Sequence, residues 1–181
     1  MDHQFLGDSF DIIKGFWEEL LRGWAGLYAC SRFYPDKDLQ EKFTRLTGIE
    51  MLPPDNPQIP YSLFNDPDKG ITLKDENELI SKLDQRKHIS ISTIIKKLKN
   101  GARCVITFDQ SYNRNYSKYR NREYQLKEKM KHLKKKSNIY SFYYYSHAPF
   151  LFAFQNEKDM VKVKNKLVNK GIPEDKILLI T

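Results

Sequence analysis

Apolar residues return at helical spacing over residues 10–24, where Phe10, Ile13, Trp17, Leu20, Leu21 and Trp24 form one stripe, with Asp8 or Ser9 as a natural N-cap and Gly23 and Gly26 marking the exit. A strand is expected over 27–31, then a more polar helix over 36–47 that stops at Gly48. Residues 51–60 hold Pro53, Pro54, Pro57 and Pro60 and read as an extended connector. Strand 61–65 leads into the turn Asp66-Pro67-Asp68-Lys69-Gly70. The charged stretch 74–87 fits a loop or a short helix. Ile91, Ile94, Ile95 and Leu98 then share a face of a helix over 89–98, capped by Ser90 and ended by Asn100-Gly101. A central strand over 103–108, a long basic helix over roughly 116–135, and strands 139–145 and 150–154 around the bend Ser146-His147-Ala148-Pro149 follow. A last helix over 159–169, broken at Gly171-Ile172-Pro173, precedes a short strand over 176–180. This alternation predicts one α/β domain over 1–181: an open, mostly parallel, Rossmann-like sheet with helices on both faces and an antiparallel C-terminal hairpin at its edge.

At 181 residues the chain is long enough to bury a core without staples. With 40% hydrophobic and 30% charged residues it is neither a membrane protein nor a largely disordered chain. Two cysteines, Cys30 and Cys104, make no framework, and the opening residues lack the basic start and apolar stretch of a secretory signal; the expectation is a reduced cytoplasmic protein. The net charge of +8 sits in one place. Residues 114–136 carry Arg114, Lys118, Arg120, Arg122, Lys127, Lys129, Lys131, Lys134, Lys135 and Lys136 against Glu123 and Glu128, so the remainder of the chain is neutral. Such an element attracts polyanions, and Tyr112, Tyr116, Tyr119 and Tyr124 among the cations suit unpaired bases; a solvated lysine-rich helix is the plainer reading.

Ligands of open α/β sheets bind beyond the carboxyl ends of the strands. Asp66 follows strand 61–65, Asp109 follows strand 103–108, His147 follows strand 139–145, and the start of the first helix brings Asp8 and Asp11 to the same edge. Neighbouring strands lie about 5 Å apart, so carboxylates leaving them are placed to share a divalent ion. Hence Asp66, Asp109, Asp8 and Asp11 are candidate ligands of Mg2+ or Mn2+. Asp66, Asp109 and His147 are candidate catalytic groups, and Lys14, Arg114, Lys118, Arg120, Arg122, Lys127 and Lys131 are candidate nucleic-acid contacts. Each has a plainer reading: Asp8 and Asp11 as helix-start charges, Asp66 as a turn former, His147 as a structural hydrogen-bonding residue.

From residue 61 onward the order of strand, Asn65-Asp66-Pro67-Asp68, helix, strand, long helix and hairpin resembles the second half of Rossmann-like nucleic-acid methyltransferases. Gly7-Asp8-Ser9-Phe10-Asp11-Ile12-Ile13-Lys14 is similar to the helix opening of the bacterial 23S rRNA adenine-N6 methyltransferase. The resemblance implies Asp66 as a polar contact to the target and Lys14 as an end-of-helix contact. The family binds S-adenosylmethionine at a glycine-rich turn, whereas the turn here is Ala29-Cys30-Ser31-Arg32-Phe33, and Asp68 and Lys69 stand where the family has proline and an aromatic residue. The leading expectation is a divalent-metal nuclease; the alternatives are a non-catalytic nucleic-acid- or partner-binding module, a reduced S-adenosylmethionine-dependent methyltransferase, and a small-anion pocket built on helix N-termini.

Overall fold

The computed structural model describes residues 6–55, 57, 60–73, 85, 87–111 and 121–180. Its helices are α1 (Ser9–Leu21), α2 (Lys37–Thr47), α3 (Ile91–Lys99), α4 (Arg122–Ser137) and α5 (Glu157–Asn169). Its strands are β1 (Gly26–Ala29), β2 (Glu50–Met51), β3 (Tyr61–Asn65), β4 (Gly70–Thr72), β5 (His88–Ser90), β6 (Ala102–Phe108), β7 (Tyr140–Tyr144), β8 (Phe150–Phe154) and β9 (Ile177–Leu178).

Seven strands form one sheet in the order β2-β1-β3-β6-β8-β7-β9. The pairs β2–β1, β1–β3 and β3–β6 are parallel; β6–β8, β8–β7 and β7–β9 are antiparallel. The Rossmann-like α/β expectation therefore holds. The hairpin is antiparallel as expected but does not form the edge: β8 threads back between β6 and β7, and β9 closes the side. Its sequence explains the depth, since Phe150, Leu151, Phe152, Ala153 and Phe154 are all buried, as a central strand covered on both faces requires. β4 and β5 form a separate parallel pair beyond the carboxyl end of β6.

Helix α1 contacts both α2 and α5 on one side, and α3 packs on α4 on the other. The stripe read from α1 is the face it buries: Trp17, Leu20 and Leu21 are inside, with the indole of Trp17 edge-on to Tyr144, Phe150 and Phe152. Asp8 caps α1, Asp36 caps α2, and Gly48 leaves α2 at φ 74°, the left-handed conformation that ends many helices. The helix expected over 89–98 begins two residues later, because 88–90 pair with β4 before Ser90 caps α3. Residues 112–120 lie outside the described residues, so the expected start of the basic helix at 116 does too; the described helix opens at Arg122 under the Asn121 cap.

Candidate functional site

The carboxyl ends of β1, β3, β6 and β7 lie on one edge of the sheet, set by the registers Ala29 with Phe64, Asn65 with Thr107, and Phe108 and Tyr144 with Phe150. Asp66 and Asp109 leave adjacent parallel strands there. The loop after Asp66 folds back onto Asp109, whose Oδ1 accepts from the Ile71 amide at 2.9 Å. The approach is close enough to require glycine at position 70: a Cβ there would stand 2.3 Å from Asp109 Oδ1, and the residue has φ 107°.

Each aspartate is held by a lysine from a helix. Lys14, on the buried stripe of α1, donates to Asp66 Oδ2 at 2.9 Å and to Asp11 Oδ1 at 2.7 Å. The Tyr34 hydroxyl donates to the same Asp66 oxygen at 3.3 Å. Asp11, Lys14, Tyr34 and Asp66 are all buried. Burial works against the Lys14 charge, but Asp66 and Asp11 outweigh it and hold the ammonium above its ordinary pKa of 10.5. Burial, with the charges of Asp66 and Asp11, pushes the Tyr34 hydroxyl well above 10.0. Lys129, on the buried face of α4, donates to Asp109 Oδ2 at 2.7 Å, and Tyr143 donates to that oxygen at 2.7 Å. Burial and then Asp109 raise Tyr143 well above its usual range. The Ser111 amide also donates to Asp109 Oδ1, at 3.2 Å.

A carboxylate has about four lone-pair sites. At Asp109 the donors Ile71, Ser111, Lys129 and Tyr143 fill them. At Asp66 both donors use Oδ2, and among the described residues nothing donates to Oδ1. A divalent ion would have to displace a buried ammonium at Asp109, and at Asp66 it would find one open oxygen on a carboxylate already paired with Lys14. Among the described residues no group of three or more His, Cys, Asp or Glu side chains is arranged to hold a metal.

Asp8 accepts from the Phe10 and Asp11 amides at 2.8 and 3.3 Å, and Asp11 Oδ2 accepts from the Gly7 amide at 2.7 Å. The N-terminus of α1 is thus occupied by its own carboxylates and does not offer its amides to an anion. His147 is exposed in the loop after β7, and its carbonyl accepts from Arg122 Nη2 at 3.2 Å. Arg122 also reaches the Ser146 carbonyl, at 3.4 Å. Lys127 pairs with Glu123 at 2.7 Å and Lys131 with Glu128 at 2.9 Å. Arg114, Lys118 and Arg120, like Tyr112, Tyr116 and Tyr119, lie outside the described residues.

Between these groups lies a pocket of about 160 Å3 bounded by Asp8, Phe10, Lys14, Asp66, Pro67, Asp68, Phe108 and Gln110. Phe10 and Phe108 pack with ring centroids 5.5 Å apart. Sites for drug-sized ligands span ~300–1,000 Å3, so this one suits a single ring system. S-adenosylmethionine does not fit beside it in the manner the resemblance implies. The turn after β1 carries side chains instead of glycines, and the fully buried Tyr34, its ring 4.4 Å from Phe43, reaches from beyond β1 to Asp66 at the end of β3.

The convergence of Asp11, Asp66 and Asp109 on one edge follows the topology read from the sequence, and Lys14, named there only through the resemblance, joins them. Lys129, Tyr34, Tyr143 and the phenylalanine walls were missed. For Lys129 a signal existed: Leu126, Lys129, Met130 and Leu133 fall at i, i+3, i+4 and i+7, the positions of a buried stripe, and a lysine on such a stripe needs a counter-charge. Nothing local marks Tyr34 or Tyr143. Comparison with protein-family models, with curated proteins and with solved structures finds no match to this chain.

Proposed function

We propose that the protein binds nucleic acid and seats one amino-bearing base in the pocket at the carboxyl ends of β3 and β6, acting there as a recognition module. The observation that carries this reading is the meeting of Lys14 and Asp66, 52 residues apart, at the wall of that pocket. These are the two short segments that resemble nucleic-acid methyltransferases, and they come together with one Asp66 oxygen left as an acceptor.

The pocket chemistry favours an amine over a phosphate. Asp8 and Asp66 border it against one ammonium, Lys14, which Asp66 already shares with Asp11. A phosphate would meet net negative charge there, whereas an exocyclic amino group donates to Asp66 Oδ1 or to the Gln110 side-chain carbonyl. Phe10, Phe108 and Pro67 supply apolar faces for a planar ring. None of the lysines of α4 lines the pocket, and they supply attraction for the phosphate backbone.

The test is base preference at fixed salt. Single-stranded oligo(dA) and oligo(dC) should bind more tightly than oligo(dT) by about tenfold or more, the worth of one hydrogen bond to a charged acceptor. Asp66→Asn should erase or invert that preference, since an amide also donates to the thymine carbonyls. Equal affinity for the three oligomers, or a preference that survives in a folded Asp66→Asn, overturns the reading.

A further inference from the structure

Lys134 and Lys135 of the lysine-rich helix stand at the end of the molecule away from the strand-end carboxylates. Helix α4 runs antiparallel to β6 and β7, so Arg122 lies near the His147 loop while Lys134 and Lys135 lie in its last turn, one α4 length away. At ~1.5 Å per residue that is about 20 Å from the pocket edge. Helix α3 has the same direction, because it too ends just before a strand, β6, that starts at the far edge. It packs against α4 and places Lys96 and Lys99 in its own last turn. Packed helices stand ~8–10 Å apart, so four lysines from two helices occupy one strip. Lys96, Lys99, Lys134 and Lys135 are exposed, and no ion pair joins them to another described residue. The start of α5 at the same edge adds Glu157 and Asp159 against Lys158, and Asp159 is paired with Arg103 at 2.8 Å.

We infer that this strip, the paired C-termini of α3 and α4 at the amino edge of the sheet, is a second contact surface that takes the phosphate backbone of nucleic acid. It extends the nucleic-acid reading above but rests on a different set of residues. Three further lysines of α4 are compensated internally: Lys127 and Lys131 by glutamates of the same helix, Lys129 by Asp109. The strip also carries an aromatic face, Tyr140 at the start of β7, with Lys134 Nζ 3.7 Å from its ring centre. Cations interleaved with aromatic faces suit a single strand. An anionic membrane is the weaker fit, because, of the large exposed hydrophobic residues, Ile12, Leu46, Leu73 and Val161 lie outside α3 and α4, and Tyr124 lies in the first turn of α4, at the end away from the strip. The plainer role of a lysine in a last helical turn is to offset the macrodipole, and the test separates the two.

The test follows binding of a fluorescent oligo(dT), which lacks an exocyclic amine and so reads the backbone alone, between 50 and 200 mM salt. Four phosphate contacts on a single strand give a slope of log K against log salt of about −3. Lys96→Gln/Lys99→Gln/Lys134→Gln/Lys135→Gln should lose most of that slope and weaken binding at low salt about tenfold or more, with thermal unfolding recorded alongside. The single exposed change Lys135→Glu, which threatens folding least, should reduce the slope by about one. A slope unchanged in both variants overturns the inference, and so does a lowered melting temperature with an intact slope, which is the macrodipole role alone. Binding to vesicles containing phosphatidylserine without binding to the oligomer also overturns it. Loss of slope with the preference for dA and dC retained supports the strip and the pocket together. An intact preference with an unchanged slope overturns only the strip, and a lost preference with a lysine-dependent slope overturns only the pocket.

Discussion

Lys14 and Lys129 carry the chemistry of this molecule at the residue scale, and in the same way. Each occupies a buried-stripe position of a helix, and each donates to an aspartate that leaves a central strand, Asp66 or Asp109. Isolating a buried carboxylate by removing its cation costs far more than the pair contributes, because the desolvated charge is left without its counter-charge. Lys14→Met should therefore lower stability by about 3–5 kcal/mol and Lys129→Met by the low end of that range, since Tyr143, Ile71 and Ser111 still donate to Asp109. Lys42→Met, at an exposed pair with Asp38, should stay within about 0.5 kcal/mol. Urea denaturation of the three variants measures the contrast; equal losses at all three sites would remove the case for buried locks. Asp66 and Asp109 were legible as strand-end carboxylates. That lysines hold them escapes a count of charge along the chain, which treats Lys129 like the exposed lysines around it and overlooks its place on the buried stripe.

At the scale of elements, local chemistry sets most boundaries. Ser90 is buried, and its hydroxyl oxygen accepts from the Thr93 amide at 3.1 Å, opening α3 directly from β5. Ser90→Ala should cost about 1 kcal/mol and Ser90→Asp less, readable as a shift in the denaturation midpoint; a neutral alanine would mean the cap is dispensable. The cap was visible in the sequence. The strand before it was not, because His88–Ser90 is three residues long and pairs with Gly70–Thr72 across a stretch whose charge suggests a loop. The place of β8 escaped for a similar reason. Its five buried apolar residues signal a central strand, but the partner on each side is fixed by long-range pairing, and a hairpin read in chain order naturally falls at the edge.

At the scale of the whole molecule, the alternation of strands and helices gathers the groups at one edge and also aligns groups whose protons stabilise the fold. Lys14, Tyr34 and Tyr143 all hold their protons more tightly when folded than when unfolded. Lys14 does so because Asp66 and Asp11 outweigh its burial; the tyrosines do so through burial first and the adjacent aspartates second. The sign is the same for the three. Below the unfolded values near 10.0 and 10.5 both states are protonated and the stabilisation is whole. Above them the unfolded chain releases protons that the folded chain keeps, so stability falls as pH rises, by up to about 1.4 kcal/mol per pH unit for each group. The protein should therefore lose stability steeply from about pH 10 upward. Tyr143→Phe should make the decline shallower by up to about 1.4 kcal/mol per pH unit, while lowering stability at pH 7 through the lost bond to Asp109. Urea midpoints at pH 7, 9.5, 10.5 and 11 measure both effects. A decline that is as steep in Tyr143→Phe as in the parent would show that the alkaline loss comes from general charge imbalance, and that the strand-end aspartates are not coupled to the stability of the sheet.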